Sequence, residues 1–318
     1  MIPLLLPTQS VYLPGQAILV EATHPGDLLV THLGERVRVV PCAGPGLVDL
    51  GELSVGGYGV AQPSTGASSA VQVCASASDR LRYGFVASFR PGKDAEAVAR
   101  FARRLHLTGI QFYDWAYRHA DLLGGGEEYL DALDQPISLA TVRALIEALR
   151  AAGARSIGYA AVYGVGNDEW EQWEDAALLD PAGEPYSLAD FLRIVDPAHP
   201  RWLEHFAADV AAAAREVGFD GFHLDQYGYP KTAVRPDGEI VDVAASFDTL
   251  IRRVREAVPD ATLVFNNVND FPTWSSPAAP QDAVYIEPWK PVTTYEALAR
   301  VATRARLVAE FRIDLIDI

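Results

Sequence analysis

The chain has 318 residues, 49% of them hydrophobic and 21% charged, which is enough to bury a sizeable core and to make roughly two domains. A formal net charge of −16 sets the surface against nucleic acids and anionic membranes, and leaves a neutral ligand such as a sugar as the compatible partner.

The N-terminus, Met1-Ile2-Pro3-Leu4-Leu5-Leu6-Pro7, lacks the basic start and the apolar length of a signal peptide. No later run approaches a membrane span. The expected location is the cytoplasm, with secretion left open if the N-terminus is incomplete. Residues 1–80 read as all-β. Ala17 to Ala22, Asp27 to Leu33, Arg36 to Val40 and Val71 to Ala75 are short β-rich runs among the turn signals Pro14-Gly15, Pro25-Gly26 and Pro45-Gly46. This spacing fits a small β-sandwich. Cys42 and Cys74 are expected to be buried free thiols, with a disulfide between neighbouring strands as the alternative. Gly56-Gly57-Tyr58-Gly59 lies in this β-rich region and does not join a strand to a helix, so it is not a phosphate loop.

From residue 81 to 318 strand-like runs alternate with amphipathic helices. The predicted strands are 81–89, 109–113, 156–163, 221–224, 262–266, 283–286 and 306–311. The predicted helices are 94–106, 138–152, 201–216, 244–257 and 294–304. Repeated strand-then-helix order implies a parallel sheet. The expected fold class is therefore α/β, a (β/α)8-type TIM barrel, with seven strands where closure needs eight. The segments 114–137 and 164–200 are long strand-to-helix loops, the kind that carry function.

Three strands end in a carboxylate beside an aromatic: Phe112-Tyr113-Asp114-Trp115, Leu224-Asp225-Gln226-Tyr227 and Ile286-Glu287-Pro288-Trp289. Strand ends of a barrel face one pocket, whatever their separation along the chain. Glycoside hydrolysis needs such a set: one carboxylate at the anomeric carbon and one carboxylic acid to protonate the leaving oxygen. Aromatics beside them supply flat faces for sugar rings, and all six Trp lie beyond residue 81. Candidate sugar contacts are Tyr113, Trp115, His119, Tyr163, His223, Gln226, Asn267 and Trp289, with Asp114.

Plainer readings stand beside these. Asp225 and Glu287 could cap the next helix, and Asp114 could pair with Arg118. His223, on the same face as Asp225, could contact a sugar, orient Asp225 or sit satisfied in the core. Asn266, Asn267 and Asn269 could bind hydroxyls or serve as turn residues. Trp170 and Trp173 read as packing. No Gly-x-Ser-x-Gly elbow, Walker loop or His-Glu-x-x-His is present, and neither a metal nor another cofactor is expected.

These residues resemble glycoside hydrolase family 66, the dextranases and cycloisomaltooligosaccharide glucanotransferases. The resemblance rests on Arg82-Tyr83-Gly84-Phe85, on Ile110 to Trp115 with Tyr117-Arg118-His119, on Gly218 to Gln226, and on Tyr285 to Trp289, and it covers most of 1–310. It implies an immunoglobulin-like β-sandwich over 1–80 and a catalytic barrel over 81–318. It also implies a retaining cleavage of α-1,6-glucan, with Asp225 as nucleophile, Glu287 as acid/base and Asp114 as a sugar-binding acid. The chain stops after the predicted seventh strand, so the expectation is a barrel truncated before its eighth βα unit and the family's C-terminal β-domain. The alternatives are a transglycosylase making cyclic isomaltooligosaccharides, and a truncated barrel that binds glucan without turnover.

Overall fold

The computed structural model describes residues 2–76 and 81–311. The chain divides into two compact units, Met1–Val86 with Gly92–Gln111 and Thr141–Ser156, and Ala87–Pro91 with Phe112–Ala140 and Ile157–Ile318. The boundary expected at residue 80 lies outside the described residues.

The first unit opens with seven antiparallel strands: β1 (Leu5–Pro7), β2 (Leu19–Ala22), β3 (Leu28–His32), β4 (Glu35–Val40), β5 (Gly46–Asp49), β6 (Gly56–Gln62) and β7 (Ala67–Val73). They form two sheets, ordered β1-β2-β5 and β4-β3-β6-β7. Alternate residues of both sheets, including Leu5, Val20, Val48, Leu28, Val30, Val60, Val71 and Val73, meet in one apolar core. Each such side chain contributes about 1.5–3 kcal/mol on burial. The glycine-rich run 56–59 starts β6: a Cβ at Gly59 would stand 2.8 Å from Thr31 Oγ1 on the paired strand. Glycine there allows close approach of two strands. Cys42 and Cys74 are buried thiols, not joined in a disulfide. The unit also holds β8 (Tyr83–Val86), most of β9 (Gly109–Phe112), α1 (Ala95–Arg104) and most of α2 (Leu139–Ala151). Asp94 caps α1, its carboxylate accepting from the Ala97 N–H at 3.0 Å.

The second unit is mixed α/β, and its parallel strands curl as in a half-barrel. In chain order they are β10 (Arg155–Ala161, of which Ile157–Ala161 is in this unit), β11 (Gly221–Asp225), β12 (Thr262–Val268) and β13 (Ala283–Glu287). Each pairs with the next in parallel. Their residues are buried almost without interruption on β10, β11 and β12, as expected of a parallel sheet covered on both faces. The helices are α3 (Pro200–Glu216), α4 (Val243–Ala257) and α5 (Tyr295–Phe311). Proline opens α3, where its missing N–H is harmless. Asp242 caps α4, accepting from Ala244 N–H at 3.0 Å. Phe247 of α4 seats its ring 5.3 Å from that of Phe265 on β12. The long loops carry small antiparallel pairings of their own, Glu128–Leu130 with Pro136–Ser138, and Gly164–Gly166 and Ser187–Leu188 with Leu192–Ile194.

The predicted seventh strand is absent from this arrangement, because 306–311 continues α5. Val301, Ala305 and Val308 are its buried residues, at helical spacing on one face. Alanine, leucine, arginine and glutamate dominate this stretch, and all favour helix. The apolar pair Leu307-Val308 fits a strand as well as a helix, but Leu307 is exposed.

Candidate active site

Three neighbouring strands of the second unit bring the carboxylates together. Asp225 ends β11 and Glu287 ends β13, with β12 between them. Side chains alternate across a strand. Leu224 lies opposite Phe265 in register, so Asn266 falls on the Asp225 face and Asn267 on the other. Asn266 Nδ2 donates to Asp225 Oδ1 at 2.6 Å and to Glu287 Oε2 at 2.8 Å. The remaining oxygens also accept: Tyr159 OH donates to Asp225 Oδ2 at 2.8 Å, and Trp289 Nε1 to Glu287 Oε1 at 2.9 Å. All four carboxylate oxygens therefore face donors.

Burial pushes the Asp225 carboxyl up to about 6, against the hydrogen bonds from Asn266 and Tyr159 that favour its charged form, while the Glu287 charge pushes the same way as burial. Asp114 also rises to about 6, through burial and then the nearby Asp131 charge. Its backbone is left-handed, φ 52°, a conformation aspartate adopts more readily than most residues. Burial, with the charges of Asp114, Asp225 and Glu287, lifts the Tyr113 phenol to about 12. These groups line a cavity of about 1080 Å³ that holds Tyr113, Asp114, His119, Asp225, Glu287 and Trp289 on its walls. Trp289 is 61% exposed and Tyr113 43%, so both present ring faces at the opening. A cavity with paired carboxylates, aromatic faces and raised carboxyl groups can bind a neutral polyol and move protons at one bond. Among the described residues no cluster of three or more His, Cys, Asp and Glu side chains is arranged to hold a metal ion, and no helix is long and apolar enough to cross a membrane.

A family model described as glycosyl hydrolase family 66 matches residues 57–315. The chain belongs to this family. Two similar curated proteins are cycloisomaltooligosaccharide glucanotransferases of Niallia circulans. One is 25% identical over 195 residues, covering 56% of this chain and 20% of the relative. The other is 26% identical over 212 residues, covering 61% and 22%. The chain thus spans about a fifth of the length of these relatives. A Paenibacillus sp. cycloisomaltooligosaccharide glucanotransferase, solved with cycloisomaltoheptaose, superposes with a TM-score of 0.80 at 20% identity, over 96% of this chain and 51% of that one. That likeness is one of fold.

Within this family member the sequence-nominated residues separate into two groups. Asp225, Glu287, Asp114, Tyr113, His119 and Trp289 share the cavity. His119 is held at about 4 by burial, so it is neutral at pH 7, and its buried Nδ1 has no hydrogen-bond partner among the described residues. Gln226 borders the cavity, but its side chain is engaged by backbone: Nε2 donates to Asn266 O and Phe271 O, and Oε1 accepts from Gly228 N–H. Trp115, Tyr163, His223 and Asn267 lie off the cavity wall. Trp115 is fully buried, with Nε1 donating to Tyr159 O at 3.0 Å. Tyr163 OH donates to Tyr229 O and accepts from Tyr227 N–H. His223 is buried below Asp225, neutral because burial lowers it to about 3, with its ring between Tyr159 and Tyr285. Asn267 accepts from Ser276 Oγ at 2.6 Å and donates to Tyr285 O at 3.1 Å.

The cap reading of Asp225 gives way, since Asp242 caps the following helix. Arg118 does not hold Asp114: its ion pair is with Asp168 at 2.7 Å. Of the two residues that donate to Asp225, sequence reasoning misses Tyr159 and offers Asn266 only as a hydroxyl-binding or turn residue. Tyr159 sits inside an apolar strand with no local mark. Asn266 is flagged only by the asparagine pair it shares with Asn267.

Proposed function

We propose that this chain cleaves α-1,6-glucosidic linkages in dextran or isomaltooligosaccharides with retention of configuration. The observation that carries this reading is the single amide nitrogen between Asp225 and Glu287. Two oxygens bonded to one nitrogen lie within about 5.4 Å of each other, the close spacing of a retaining pair (about 5–5.5 Å) rather than the wider gap an inverting enzyme keeps for water. Asp225 attacks the anomeric carbon while Glu287, as the carboxylic acid, gives its proton to the leaving oxygen. Water then enters, Glu287 takes its proton, and the glucosyl–Asp225 ester is hydrolysed. Asp114 and Tyr113 accept and stack on the sugar at the cleaved bond, and Trp289 offers a ring face beside Glu287. The β-rich part over 1–80 is read as an immunoglobulin-like domain and 81–318 as the catalytic barrel, and both reacting carboxylates belong to the latter.

The names of the two curated relatives favour a second reading, in which the glucosyl–Asp225 ester is captured by the glucan's own far hydroxyl to give a cyclic isomaltooligosaccharide. Both readings use the same two carboxylates. Loss of high-molecular-weight dextran, followed by size-exclusion chromatography for wild type and Asp225→Ala, tests what they share: turnover is expected to fall about 10⁴-fold in the variant, and equal rates would remove Asp225 from the mechanism. Chromatography of the wild-type products separates the two, linear sugars supporting hydrolysis and cyclic ones transfer. Because Asp225 must be ionised to attack, turnover is expected to fall as pH drops below about 6.

A further inference from the structure

We propose that Asn266 is a positioning residue that sets the separation and orientation of both reacting carboxylates through one NH2 group, and this rests on the retaining reading above. Two carboxylates within about 5.4 Å repel each other when both are charged. An amide NH2 has two hydrogens about 120° apart, and here one is directed at each carboxylate. The reversed amide would point a carbonyl oxygen at two carboxylates, so charge alone fixes the orientation. Its cost is visible on the other side of the same group: Asn266 Oδ1 is buried and has no hydrogen-bond partner among the described residues. A buried carbonyl oxygen left alone is disfavoured, and two charge-assisted hydrogen bonds offset it. A side chain serving only the fold would be satisfied at both ends, as Asn267 next to it is. Local violation of a packing rule at a site is the pattern expected of a functional constraint.

The titratable groups facing the pair come from every strand around it. Tyr159 projects from β10, His223 lies beneath on β11, Tyr285 sits on β13, and Tyr113 and Tyr227 stand on the loops that follow β9 and β11. The phenols are raised and His223 is neutral. The phenols and His223 are therefore neutral near pH 7, and Asn266 donates to both carboxyl groups of the pair.

The test measures dextran turnover against pH for wild type, Asn266→Ala, Asn266→Ser and Asp225→Ala, each with a thermal melt. Loss of the shared donor is expected to lower kcat about 10- to 100-fold at nearly unchanged KM. It is also expected to move the acid limb of kcat/KM upward by about one pH unit, since a carboxylate without its donor binds a proton more tightly. A merely structural residue would lower the melting temperature and leave that limb in place. If a variant that melts cooperatively keeps wild-type kcat and the wild-type acid limb while Asp225→Ala is inactive, the inference is overturned and the functional reading survives. Activity retained in Asp225→Ala overturns the functional reading itself. Should neither Asn266 variant fold, a crystal structure of the wild-type protein at neutral pH decides: Nδ2 within hydrogen-bond reach of both carboxylates supports the inference, and Nδ2 bonded to neither or to one overturns it.

Discussion

Asp225 is held in two ways that oppose each other. Burial raises its carboxyl to about 6, while donors from Asn266 and Tyr159 stabilise the charge. The folded value exceeds the ordinary 3.8, so the folded chain holds this proton more tightly than the unfolded chain does. The associated stability is fully present below about pH 4 and is lost as pH rises through about 6. Asp225→Asn removes the charge at nearly constant volume, and its new NH2 can donate to the Tyr159 oxygen. At pH 7.5 this variant is expected to melt above wild type, by about 1–3 kcal/mol of stability, while losing dextran turnover. Near pH 4 the two melts are expected to converge. A variant less stable than wild type at pH 7.5 would show that the hydrogen bonds outweigh the burial.

Among the elements, β12 shows how far sequence goes. The run Thr262-Leu263-Val264-Phe265-Asn266-Asn267 announces a buried strand by its apolar residues, and the strand forms as expected. Which asparagine meets the site depends on parity alone, and every residue of 262–267 is buried, so no polar alternation marks the face. Pairing with β11 supplies the missing information, because Phe265 is opposite Leu224. Asn267 thus belongs to a structural network with Ser276 and the Tyr285 carbonyl. Asn267→Ala is expected to cost about 1–3 kcal/mol in urea unfolding, since it removes the hydrogen bonds Asn267 makes with Ser276 Oγ and the Tyr285 carbonyl, and to leave kcat on dextran within about twofold of wild type. A large loss of kcat with unchanged stability would put Asn267 in the site after all. The same limit explains Trp115 and Tyr163, whose positions beside strand ends suggested sugar contacts although both rings turn into the core. The placing of Asp225 and Glu287 on the cavity wall was legible because the ends of parallel strands face one pocket. The strand predicted at 306–311 was misread because short apolar runs fit both periods, and only burial of Val301, Ala305 and Val308 together reveals the helix.

Over the whole chain, two sets of carboxylates pull the pH dependence of stability in opposite directions. Asp114 and Asp225 are raised to about 6, and Glu169 and Asp209 are raised as well, all chiefly by burial. Their contribution to the fold is complete below their unfolded values and is lost as pH climbs through the folded ones. Glu204 is lowered by Arg253, and Asp237 by the Glu239 N–H and then Arg235. Their contribution is present above the unfolded values and lost as pH falls through the lowered ones, but exposed pairs of this kind add little. A net charge of −16 acts with the first set, because self-repulsion of the compact state grows as the remaining carboxyls ionise. The melting temperature in low salt is therefore expected to be higher near pH 5.5 than near pH 8, and to drop again below about pH 4. Raising salt shortens the Debye length from about 30 Å at 0.01 M to about 8 Å at 0.15 M. That screens the surface repulsion but not the burial of Asp114 and Asp225, so the gap between pH 5.5 and pH 8 is expected to narrow without closing. A gap that vanishes at 0.15 M salt would assign the whole effect to surface charge. It would also mean that the carboxyls in the cavity titrate as they do in water, and the acid limb of turnover would then have to lie near pH 4 instead of about 6.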